Sequence, residues 1–217
     1  MMAQAGWRPE TLQDPTRPAG PRLRRMPDPR TPAVAAPSGE TWRVFFALDA
    51  SPALRERTAA HAALWRWSPQ ARLVAPRKLH LTLVFIAALD SRLLPRLLQL
   101  GAEAAACAHG CALVLDRARL WPGGIAHLAP SSVPQALLEL HEALLDGVLR
   151  AGAAADRRAW KPHLTLARRA QDARPPAHFE GLRWQPRSLS LQRSLPGSGD
   201  YLCLGRWRFG GTGGPGA

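Results

Sequence analysis

Apolar positions along the chain alternate between two periods. "WRVFFALDA" (Trp42–Ala50) is apolar on both faces and short, as a buried strand is. Ser51-Pro52 then opens an amphipathic helix predicted to run to about Trp67. "LHLTLVFIAAL" is a second β-rich run, and a helix capped by Asp90 or Ser91 comes after it, reaching to about Ala108 and carrying Leu93, Leu94, Leu97, Leu98 and Leu100. "CALVLDRARLW" and "IAHLA" form two strands joined at Pro122-Gly123-Gly124, a hairpin signal. Ser131, Ser132 and Pro134 start a third helix to about Gly152, with Leu137, Leu140, Leu144 and Val148 on its apolar face. The chain closes with "SLSLQRSL" and "YLCLGRWRF", separated by Pro196–Gly199. Strands and helices thus alternate in two comparable halves: a duplicated α+β architecture.

Outside those halves the pattern fades. Residues 1–40 hold eight of the 21 prolines and no apolar periodicity, so they are expected to form a disordered extension. The alternative is that translation starts at Met26, within that leader. The folded domain is placed at residues 41–209 and a Gly-rich flexible tail at 210–217.

Composition adds less than pattern. The 46% hydrophobic content is that of a globular protein, and 217 residues suffice for one two-lobed domain with a buried core. A net charge of +13 suits an anionic partner such as RNA, although an Arg-rich, Ala-rich chain also results from coding bias. Cys107, Cys111 and Cys203 are odd in number and lack zinc-ligand spacing, as expected of reduced thiols in a cytoplasmic protein. No run of about 18 apolar residues offers a membrane span.

One motif carries chemistry. "KLHLTL" (Lys78–Leu83) and "KPHLTL" (Lys161–Leu166) are nearly the same hexapeptide, and Lys78 and Lys161 are the only lysines among 29 basic residues. Successive strand side chains face opposite ways, so His80 shares a face with Thr82, and His163 with Thr165, while the leucines enter a core. Lys78 and Lys161 share parity with the histidines if their strands begin that early; Pro162 interrupts the second. Two histidines can activate water on one side of a phosphorus and protonate the departing oxygen on the other. Two threonine hydroxyls can hold its oxygens. The other histidines lack the motif: His61 and His141 fall in helices, His109 and His178 in loops, and His127 on a hairpin arm, all as ordinary surface or packing residues.

At these residues the sequence resembles the two-histidine phosphoesterase superfamily, most closely its bacterial RNA 2′,3′-cyclic phosphodiesterase branch, also called 2′-5′ RNA ligase. The resemblance covers about Trp42 to Phe209, with "RVFFALD", "WPGGIAHLAP", "KPHLTLAR" and "SLPGSGDYLCLGRW" matching its strands. It implies a bilobal fold with a cleft between two antiparallel sheets and helices outside. It also implies hydrolysis of an RNA 2′,3′-cyclic phosphate, or a small cyclic nucleotide, by a monomer with no cofactor or metal. His80 would be the proton donor and His163 the proton acceptor, with Thr82 and Thr165 holding phosphate. Arg168 stands where the family's second motif often has a basic residue, but its parity sets it opposite His163, so a phosphate role needs a twist or bulge. Ligation to a 5′-hydroxyl, or RNA-end binding without turnover, are the alternatives.

Overall fold

The computed structural model describes residues 39–210. The expected leader and tail lie largely outside the described residues.

Among the described residues, short apolar runs bounded by turns become nine strands. In chain order the elements are β1 (Thr41–Asp49), α1 (Pro52–Ala62), β2 (Arg72–Leu73), β3 (His80–Asp90), α2 (Leu94–Cys107), β4 (Leu113–Trp121), β5 (Ile125–Pro130), α3 (Gln135–Arg150), β6 (Leu164–Arg168), β7 (Leu182–Trp184), β8 (Ser188–Ser194) and β9 (Tyr201–Arg208). The sheet order is β7-β4-β5-β6-β3-β1-β8-β9, with β2 paired to β6 and every pairing antiparallel. Helix α2 lies along β8 and β9 and against α3, which also meets β3; α1 meets β7. Among the described residues no helix is long and apolar enough to cross a membrane.

Two expectations need correction. The two sheets foreseen are one: β3 and β6 join them through the pair Leu81–Leu164, and both leucines are fully buried. Burying both at one seam removes two strand edges that would otherwise stand open. Helix α1 ends at Ala62, not near Trp67. Trp65 and Trp67 lie beyond it and stack on each other, ring centroids 4.9 Å apart, and Arg66 bridges to Arg174. The second helix begins as a 3₁₀ turn, Ser91–Leu93, with the Asp90 carboxylate accepting from the Arg92 amide. The third begins at Gln135 with no side-chain cap.

The motif strands share an irregularity that positions the site. Along β3, Ala47 of β1 faces Thr82 but Phe46 faces Val84, leaving Leu83 as an extra residue. Along β6, His127 of β5 faces Thr165 but Ala126 faces Ala167, leaving Leu166 extra. Each is a β-bulge at the last leucine of its His-Leu-Thr-Leu, and a bulge resets the facing of the residues after it.

Candidate active site

The pair Leu81–Leu164 is flanked on each side by a histidine and a threonine. Antiparallel parity sets His80 across from Thr165 and Thr82 across from His163, all four on the face opposite the buried leucines. All four are half-buried. Neither threonine hydroxyl has a hydrogen-bond partner among the described residues, so both are free to donate to a ligand.

Each histidine is fixed by the same local bond. The Nδ1–H of His80 donates to the Lys78 carbonyl at 2.7 Å, and that of His163 to the Lys161 carbonyl at 2.7 Å. A carbonyl only accepts, so Nδ1 carries the hydrogen in both rings and Nε2 is left as the titrating nitrogen. Phe45 stacks on His80 at 4.9 Å and Tyr201 meets it edge-on at 5.3 Å. Trp121 meets His163 at 4.5 Å.

Burial pushes both histidines below the usual imidazole value, against the backbone bonds that favour the charged form. Their remaining neighbours differ. The Asp49 carboxylate favours protonated His80, against the positive charges of His163 and Arg168; on His163 Arg168 acts in the same direction and no carboxylate opposes it. Asp49 faces His80 directly across β1 and β3, and it is held by Arg206 at 2.9 Å.

The lysines and Arg168 take different stations. Lys78 lies beside His80, but its Nζ is engaged by Asp200 at 2.7 Å and the Gly199 carbonyl at 2.9 Å. Lys161 is exposed on the rim of a groove of about 750 Å³ that also contains Thr82, His163, Trp121 and Trp160. Arg168 lines that groove too. The Leu166 bulge supplies the reset of parity that a position beside His163 required.

Two further histidines are not ordinary. His127 is 1% exposed and sits against Trp121 at 4.0 Å and His163 at 5.5 Å. His141 stacks on Trp160 at 4.3 Å. Its Nδ1–H donates to the Leu83 carbonyl at 3.0 Å, while the Trp160 indole N–H donates to the Thr82 carbonyl at 3.0 Å. Both bonds go to the bulged turn of β3, so these rings hold the first motif in place. The sequence places His127 on a hairpin arm and carries no motif that sets it beside His163. His61 does pack in the core, accepting from Trp65 at 3.0 Å, and His109 and His178 are exposed.

The sequence profile of the 2′-5′ RNA ligase superfamily matches residues 44–194. The chain is 32% identical over 173 residues to the RNA 2′,3′-cyclic phosphodiesterase of Escherichia coli (strain K12), covering 77% of this chain and 97% of that one. Among solved structures, E. coli LigT complexed with 3′-AMP superposes with a TM-score of 0.67 at 29% identity, covering 78% of this chain and 99% of that one. The Thermus thermophilus protein TT0787 superposes with a TM-score of 0.68 at 27% identity, over 79% and 100% of the two chains.

Proposed function

The chain belongs to the 2′-5′ RNA ligase superfamily, and on that premise we propose that it hydrolyses RNA 2′,3′-cyclic phosphate ends to 2′-phosphomonoesters. The observation that carries this is the ring of two imidazoles and two unengaged hydroxyls around Leu81–Leu164. His163 Nε2 takes the proton of a water as its oxygen attacks phosphorus. The bond from phosphorus to O3′ breaks, and His80 Nε2–H delivers its proton to that oxygen. Thr82 and Thr165 donate to the non-bridging oxygens, where charge accumulates, and Arg168 adds positive charge beside them. The two histidines supply both proton transfers, so the scheme needs no metal.

The duplicated, bilobal reading of the fold accompanies this proposal; the matching bulges at Leu83 and Leu166 support it. The groove beside His163 lies on the side of the attacking oxygen, and Trp121, Phe85 and Trp160 there offer faces for bases while Arg43, Arg158 and Lys161 offer charge for a backbone. The volume of that groove also favours a second reading. A 5′-hydroxyl seated there in place of water would yield a 2′-5′ linkage through the same proton transfers.

An oligonucleotide ending in a 2′,3′-cyclic phosphate, incubated with and without a 5′-hydroxyl acceptor and with excess chelator, tests these readings. A 2′-phosphate end is expected in every case. A joined strand as the main product favours ligation. Bound but unchanged RNA would mean a binding protein, and loss of turnover restored by zinc or manganese would end the metal-free scheme.

A further inference from the structure

A second pocket, of about 210 Å³, opens at the start of β3, beside His80 and away from the groove that holds Thr82 and His163. Four cationic side chains converge on it from three elements: Arg55 from α1, Arg77 and Lys78 from the 3₁₀ turn before β3, and Arg206 from β9. Two carboxylates, Asp49 and Asp200, share it. Those carboxylates are spoken for. Asp200 takes Lys78 at 2.7 Å and Arg77 at 3.3 Å, and Asp49 takes Arg206 at 2.9 Å.

Arg55 is left over. It makes no ion pair and no side-chain hydrogen bond among the described residues, and its Nε is shielded from water without a partner. A planar guanidinium in that condition matches a doubly oxygenated anion. We propose that this pocket is a second phosphate subsite, centred on Arg55, for the phosphodiester on the 5′ side of the terminal nucleotide. The proposal rests on the cyclic phosphodiesterase reading. If His80 protonates O3′, the terminal ribose lies on the His80 side of the reacting phosphorus, and its C5′ carries the next phosphate one sugar away. The pocket therefore selects RNA ends and 5′-phosphorylated cyclic nucleotides over bare nucleoside 2′,3′-cyclic phosphates.

The test compares adenosine 2′,3′-cyclic phosphate with its 5′-phosphorylated form. The full chain should show kcat/KM at least about 10-fold higher on the second, the scale of one charge-assisted contact. Arg55→Gln should remove most of that advantage while costing far less on the first. Arg57→Gln is the control, since Arg57 lies on the same helix but bonds the Arg183 carbonyl at 3.0 Å. Calorimetry with adenosine 2′,5′-bisphosphate against adenosine 2′-phosphate repeats the comparison without turnover. Absence of preference for the second phosphate in the wild type, by both measures, overturns the subsite. Equal losses on both substrates in Arg55→Gln would make Arg55 a structural residue and overturn it too. If neither cyclic phosphate is turned over but the bisphosphate preference and its loss in Arg55→Gln persist, the subsite stands and the assigned reaction falls.

Discussion

At the scale of single residues, the chemistry turns on which imidazole holds the proton. Removing His80 or His163 as alanine should lower turnover on the order of 10²-fold or more, measured on a cyclic-phosphate substrate. Both titrate below about 6.5 in the free protein because burial disfavours their charge, so kcat/KM should peak on the acid side of neutrality. Bound phosphate favours the protonated form of both, so the optimum of kcat should lie at higher pH. Asp49→Asn removes the carboxylate that favours protonated His80, and the alkaline arm of kcat/KM should move to lower pH while the acid arm stays. Movement of the acid arm instead would exchange the two roles. Thr82→Val and Thr165→Val keep shape and delete a donor; each should cost about 1–3 kcal/mol of transition-state stabilisation. Unchanged kcat/KM in both would make the threonines structural. His127→Ala should let water reach His163 and relax its value upward, carrying the acid arm to higher pH.

Elements explain how much of this was legible beforehand. His-Leu-Thr-Leu announces its facing because strand parity is a local property, and the leucines did go to the core. The place of Arg168 was not legible, since a bulge depends on a partner strand that sequence does not place. The same holds for the seam at Leu81–Leu164, for the two-residue β2, and for His127 and His141, whose stations come from neighbours distant in sequence. Helix α1 was overextended because Trp65 and Trp67 continue an apolar pattern that tertiary stacking redirects. The bulged turn can be tested directly. Trp160→Phe deletes the bond to the Thr82 carbonyl, costing about 1 kcal/mol of stability and loosening Thr82, so kcat/KM should fall several-fold. Gly101→Ala probes packing away from the cleft. A Cβ there would collide with the Trp207 ring, so Tm should drop, by the equivalent of about 1–3 kcal/mol, with turnover per folded molecule intact.

For the whole molecule, a chain beginning at Gly39 retains the Glu40–Arg193 ion pair of 2.7 Å and every strand among the described residues. It should melt with the full-length protein and turn over a small cyclic nucleotide equally well. Any defect should be confined to long RNA at low salt, where the arginines before Gly39 can contribute phosphate contacts. Collapse of small-substrate turnover in a folded truncation would mean the leader takes part in the site. Stability should depend on pH through the histidines first. His61, His80, His127, His141 and His163 are all depressed by burial, so the unfolded chain binds more protons near pH 6. Tm should therefore be steady above about 6.5 and fall as pH drops below it. Asp90 and Asp156, held at about 2 by Arg92 and Arg158, add their losses only in much stronger acid. The registers of β1 on β3 and β5 on β6 carry one more consequence. Counted from the motif threonines, Asp49 and Ala129 hold matching places, as do Ala47 and His127. The motif reads alike from either end, and a molecule built only of it would have no forward direction. In the proposed scheme, a carboxylate written where its counterpart is a methyl is what assigns the acid to one histidine and the base to the other.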